Sequence, residues 1–211
     1  MDKKLERILP LVQKPARYTG GEYGEIQKDK SEVDLRMALC FPDTYEIGMS
    51  NTGMRILYRV LNDIPGVWCE RVFAPWFDMD RQVREKRLPL YALESGDEVR
   101  DFDMVGFTLQ YELSYSNVVN MLDLAKIPVL SKDRESLTPL VVAGGPCVCN
   151  AEPVADFFDV IMLGEGEETT NELLDLLKKH KKQGSSKFDF LCEAAQIDGL
   201  YVPSFYDVEY N

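Results

Sequence analysis

The sequence predicts an α/β fold: a flavodoxin-like (Rossmann-like), doubly wound, mainly parallel five-stranded sheet with flanking helices. Three observations predict it. Apolar runs of strand length alternate with stretches at helical spacing along most of the chain. That alternation makes a parallel sheet covered on both faces. Glycine-containing loops follow the first, fourth and fifth runs, and sheets of this kind bind ligands at the carboxyl ends of their strands.

Each element has a local reason. Leu35 to Phe41 is an apolar strand closed by Pro42. Asn51 is an N-cap for a helix with Met54, Leu57, Tyr58 and Leu61 at i, i+3, i+4 and i+7, which Pro65-Gly66 ends. Val67 to Phe73 is the second strand. Asp78 to Arg87 reads as a short charged helix, and Leu90 to Leu93 as a minor strand. Met104 to Leu109 is the third parallel strand, followed by a helix with Val118, Met121, Leu122 and Ala125 on one face. Leu140 to Ala143 is the fourth, closed by Gly144-Gly145-Pro146. Val160 to Leu163 is the fifth, closed by Gly164-Glu165-Gly166-Glu167. A long helix runs to about Lys182, with Thr169-x-x-Glu172 as its capping box. A polar break at 183–187, a short helix at 188–196 and an extended end at 200–210 complete the chain. The organisation is an N-terminal arm at 1–33, an α/β domain at 34–183, and a C-terminal helix and linker at 184–211.

Composition narrows the function. The chain has 211 residues and a net charge of −12. That charge argues against direct nucleic-acid binding, which needs a basic face, and against an anionic membrane surface. No apolar stretch approaches the roughly 18 to 20 residues that span a bilayer, and Met1 to Gln13 lacks a signal-peptide core. These features predict a cytoplasmic protein. Five cysteines, an odd count, do not suggest a disulfide framework. Cys147-x-Cys149 lacks the second pair or neighbouring His of a metal site, and the one His, His180, sits in a Lys run.

The rim loops at 42–51, 108–116, 144–151 and 164–168 point to a ligand. A dinucleotide suits them poorly. Gly164-x-Gly166-x-x-Thr169 lacks the third glycine of the fingerprint, and Glu165, Glu167 and Glu168 would repel a pyrophosphate. Those glutamates also compensate the dipole of the helix they open. A flavin would call for a Ser/Thr-rich phosphate loop, which Pro42-Asp43-Thr44-Tyr45-Glu46 is not. Cobalamin, a large amide-fringed disc with a nucleotide tail, fits glycine loops that leave room for both.

The motifs carry a resemblance. Asp43-x-Tyr45-x-x-Gly48 resembles the Asp-x-His-x-x-Gly loop of cobalamin-binding domains, with Tyr45 where the cobalt-ligating His would stand. Thr108 falls where that fold has a Ser, and Gly144-Gly145 matches its Gly-Gly. Phe41 to Asn51, Glu70 to Trp76, Gly106 to Leu113, Ala143 to Pro146 and Gly164 to Glu167 together resemble the N-terminal half of a family of radical S-adenosylmethionine proteins. That half is a cobalamin-binding-like domain ahead of a radical core. Arg17-Tyr18 and Tyr201-Val-Pro203 extend the likeness over almost the whole chain.

The resemblance implies a base-off, His-off cobalamin module that presents its cofactor to a radical core in cis, acting on an unknown substrate. The implied cofactor-binding residues are Asp43, Tyr45, Gly48, Met49, Ser50, Thr108, Gln110, Tyr111, Gly144, Gly145, Pro146, Gly164, Glu165, Gly166 and Glu167. Tyr45 would lie beneath the corrin ring, since a phenol with pKa near 10 is a poor neutral metal ligand. S-adenosylmethionine and a four-iron four-sulfur cluster belong to the core, whose C-x-x-x-C-x-x-C spacing is not found here. This fragment alone is therefore expected not to be an enzyme, and to be the N-terminal piece of a longer one. The alternative is a degenerate cobalamin-type fold without cofactor, its pocket filled by Tyr45, Met49, Tyr111 and Tyr115, serving as an interaction domain. Trp68 and Trp76 read as packing. The stretch Arg17 to Glu22 is either an arm that docks on the core or a flexible lead-in.

Overall fold

The computed structural model describes residues 3–164 and 166–207. After helix α1 (Lys3–Ile8) and a segment of short 3-10 turns, the chain enters strand β1 (Leu35–Phe41). Helices α2 (Tyr45–Ser50) and α3 (Thr52–Asp63) lead to β2 (Val67–Phe73), and α4 (Phe77–Lys86) leads towards β3 (Met104–Thr108). Helix α5 (Tyr115–Leu124) precedes β4 (Leu140–Gly144), and two 3-10 turns precede β5 (Val160–Met162). Helices α6 (Gly166–Gln183) and α7 (Lys187–Ala194) and strand β6 (Leu200–Tyr201) follow.

The sheet order is β2-β1-β3-β4-β5-β6, with β1 to β5 parallel and β6 antiparallel on β5. This is the doubly wound, flavodoxin-like arrangement, and strand order reverses between β1 and β3. Alternation along the strands divides the core. Met37, Leu39 and Phe41 pack with α3, α6 and α7, whereas Ala38 and Cys40 pack with α1, α4 and α5. Both faces of the sheet are covered, which explains why the strands read as continuous apolar runs.

Several elements differ from the sequence expectation. The loop after β1 is largely helical, because Tyr45 to Ser50 close one short helix ahead of α3. Asn51 does cap α3, its Oδ1 accepting the Met54 N–H at 2.9 Å. Thr169 lies inside α6 and is not its cap, since the helix already begins at Gly166. Leu90 to Leu93 contributes only a single bridge, Tyr91 with Glu98. A sixth, two-residue strand closes the sheet at Leu200–Tyr201, within the stretch read as extended.

The N-terminal arm packs on its own domain. Trp68 Nε1 donates to the Ile26 carbonyl at 3.1 Å, and Lys28 Nζ donates to the carbonyls of Asn62 and Val67 at 2.6 and 2.5 Å. Leu93 N–H donates to Arg71 O at 3.0 Å. Residues 22–28 and 93–95 thus cover edge strand β2, whose unpaired backbone would otherwise invite other strands. Among the described residues no helix is long and apolar enough to cross a membrane.

Candidate functional site

A slot of about 320 Å³ opens at the carboxyl ends of β1, β3, β4 and β5, between the sheet and helices α3 and α6. Side-chain alternation builds its floor. Met37 and Leu39 from β1, Met104, Gly106 and Thr108 from β3, Val142 and Gly144 from β4, and Met162 from β5 share this face. Two floor positions lack side chains: Met37 already takes the space over Gly106, whereas the space over Gly144 is open. A Cβ on Gly106 would lie 2.6 Å from Met37 Cε, and one on Gly144 would project beside Met162 at 3.9 Å. Gly53, Ile56, Leu57 and Leu61 of α3 form one wall, Gly166 and Thr170 of α6 the other. The lining is mostly apolar, with polar groups at the mouth. There Gln110 Nε2 donates to Thr108 Oγ1 at 2.5 Å, and Asn51 Nδ2 reaches Gln110 Oε1 at 3.4 Å.

Seven residues expected from sequence meet at this slot: Thr108, Gln110, Gly144, Gly145, Pro146, Gly164 and Gly166. Gly145 must be glycine. Its φ is +104°, and a Cβ would come within 2.7 Å of the Leu109 carbonyl oxygen. Glu165 lies outside the described residues, as does the side chain of Glu167.

The residues after β1 lie elsewhere. Tyr45 stacks edge-on to Phe73, with ring centres 5.4 Å apart, and its hydroxyl donates to Glu22 of the arm at 2.7 Å. Burial and the Glu22 carboxylate push the Tyr45 phenol up to about 12, so it holds its proton near neutrality. Gly48 lets the ring of Phe73 approach, where a Cβ would sit 2.3 Å from a ring carbon. Met49 Sδ lies 3.3 Å from Arg71 Nη1, and Ser50 Oγ donates to the Glu46 carbonyl at 2.6 Å. Asp43 accepts the Thr44 N–H at 2.6 Å and the Tyr111 hydroxyl. With Trp76, Phe77 and Asn117 it lines a separate cavity, also about 320 Å³, on the other side of the rim.

Sequence reasoning missed Met37, Leu39, Gly53, Gly106 and Met162. Gly106, a glycine inside an apolar strand run, carried the available signal.

A larger groove of about 660 Å³ lies at the amino ends of the strands, beside Ser131, Arg134, Lys187 and Phe205. Its buried cations are already used. Arg134 donates to Asp159 and to the carbonyls of Pro128, Val129 and Phe157, and Lys187 Nζ to Asp159 and two carbonyls. This cluster pins β5, α7 and the turn at Ser131, and the donors of Arg134 and Lys187 are all taken within it.

The family described as radical S-adenosylmethionine proteins, N-terminal, matches residues 53–203. The chain belongs to that family. It is also 30% identical over 134 residues to an uncharacterized protein of Methanocaldococcus jannaschii, a match covering 62% of this chain and 24% of that relative. The chain thus spans about a quarter of the length of the relative it matches. No solved structure matches it.

The family implies S-adenosylmethionine and an iron–sulfur cluster in its core. The described residues here do not fit a cluster. Cys40 and Cys69 are buried, with burial pushing both thiols up, and no three Cys, His, Asp or Glu among the described residues converge on a metal position. The slot is largely apolar with open room over Gly144, and Tyr45 turns away from it towards Phe73 and Glu22.

Proposed function

We propose that this domain binds cobalamin base-off and His-off, with the nucleotide tail in the slot, and presents it to the radical core of a longer protein. The single observation that carries the reading is the open slot between α3, α6 and the glycine-bearing floor at Gly106 and Gly144. Its position at the carboxyl rim, where strand order reverses, is where ligands bind in such sheets. Its size falls at the lower end of small-molecule sites, as expected for a pocket that takes only part of a large ligand. Bound there, cobalamin would supply methyl-transfer chemistry. This chain's own residues would admit the tail (Gly144) and hydrogen-bond its polar atoms (Thr108, Gln110).

The exposed apolar side chains near the rim, Phe77 (79% exposed) and Leu113 (88%), suit contact with a covering domain. They equally suit the second reading, an interaction domain without cofactor. What favours the first is that Tyr45, Met49 and Tyr111 do not fill the slot. The test is to mix the purified chain with hydroxocobalamin, pass it through gel filtration and record the visible spectrum. Co-eluting colour with a base-off spectrum supports the proposal; colourless protein with an unshifted spectrum rejects it.

A further inference from the structure

The geometry points to Glu22 as a positioning residue for the slot, coupling the N-terminal segment 13–28 to whatever the slot holds. The inference rests on the slot being the ligand site. Glu22 accepts from Tyr45 Oη and from Arg71 Nη2, each at 2.7 Å. At the next position of α2, Glu46 accepts from Arg17 Nε at 2.9 Å and Lys14 Nζ at 3.0 Å. The segment therefore grips the first turn of α2 at two successive residues. That helix has six residues and no side-chain bond from its cap Thr44, and a helix so short does not hold itself.

From α2 the contacts continue to the slot. Asn51 follows α2 directly, caps α3 and touches Gln110, which bonds Thr108. A second contact bypasses α2: Ile26 N–H donates to the hydroxyl of Tyr58 on α3 at 2.8 Å. Gly53 and Leu57 of α3, with Gln110 and Thr108, line the slot. Every step from Glu22 to the slot wall is thus a direct contact. A group entering the slot fixes α3 and Gln110, and α2 and Tyr58 pass that constraint to the segment. Such coupling is reciprocal: a filled slot protects the segment, and a loosened segment weakens the ligand by the same factor.

The test uses the full 211-residue chain, with hydroxocobalamin as probe. Hydrogen exchange is read over 13–28 with and without it, in wild type, Tyr45→Phe and Glu22→Gln. Tyr45→Phe removes only a hydroxyl, and the ring stays on Phe73, so its thermal midpoint should match wild type. Affinity should fall about fivefold or more in both variants. Ligand-induced protection at the Gly21 amide should fall with it, whereas Ile26, tied to Tyr58 independently of α2, should keep part of its protection. A parallel arm needs no cofactor: Gly144→Leu fills the slot from within and should itself raise protection over 13–28. Wild-type affinity in both variants, with 13–28 unchanged by hydroxocobalamin, would overturn the inference; so would unchanged protection in Gly144→Leu. Raised protection in Gly144→Leu, together with no hydroxocobalamin binding to the wild-type chain, would uphold the coupling and reject the cobalamin reading alone.

Discussion

Replacing Gly144 by Leu should abolish tail binding while leaving the fold intact. Gly144 ends β4 on the slot face, has no left-handed backbone to strain a side chain, and its added Cβ meets only Met162 Cβ, at 3.9 Å. Leucine adds four carbons, each about the size of a water, or roughly 120 Å³ of the 320 Å³ slot. Burying that side chain contributes about 1.5 to 3 kcal/mol, against roughly 0.5 to 1 kcal/mol of lost rotamer freedom. The thermal midpoint should therefore hold or rise. A planar aromatic base buries about 150 to 250 Å². At about 25 cal/mol per Å², shutting it out costs about 4 to 6 kcal/mol, or a thousandfold to ten-thousandfold in Kd. Spectral titration with hydroxocobalamin and a melting curve check both parts. A folded Gly144→Leu protein that binds as tightly as wild type would refute the placement of the tail.

Other perturbations follow from the same geometry. Tyr45→His should not give a His-ligated cobalamin spectrum, because position 45 faces Phe73 and Glu22; a His-on spectrum would show that α2 turns towards the slot on binding. Arg71→Met strands Glu94, whose side chain is fully buried against it, and should cost about 3 to 5 kcal/mol. At about 2 to 4 °C per kcal/mol this lowers the thermal midpoint by roughly 6 to 20 °C, and calorimetry showing no change would contradict that pairing. Hydrogen bonds from Arg17 and then Lys14 hold the Glu46 carboxyl near 2, against an ordinary 4.5. A depressed folded-state pKa gives stability that is present above the ordinary value and lost as pH falls from about 4.5 towards 2. Glu46→Gln should flatten that part of the urea-midpoint profile, and a profile parallel to wild type would remove Glu46 from the account.

The legible parts of the fold are those set by local pattern. β1 and β2 read directly from apolar runs closed by Pro42 and opened by Pro65-Gly66, and the Asn51 cap from residue type and spacing. Helix α2 was not legible, because six residues carry too little periodicity and what holds them is Glu22, Arg17 and Lys14, distant in sequence. The site divided in the same way. Gly144, Gly145 and Gly164 follow strands and could be found there, whereas the floor at Met37, Leu39 and Met162 is made of ordinary core residues. Only strand register shows that they surround a space. The Asp43-to-Gly48 motif placed a loop at the rim but not its side chains, since Tyr45 answers to Phe73 and the arm.

The methionines offer the most direct measurement of the central claim. Met37, Met104 and Met162 line the slot floor, while Met79 and Met121 pack on the opposite face of the sheet. With methyl-labelled methionine, hydroxocobalamin should shift the first three methyl resonances through the ring current of the inserted base and leave the other two in place. Shifts at Met79 and Met121 with none at Met37, Met104 and Met162, or no shifts at saturating hydroxocobalamin, would contradict the account.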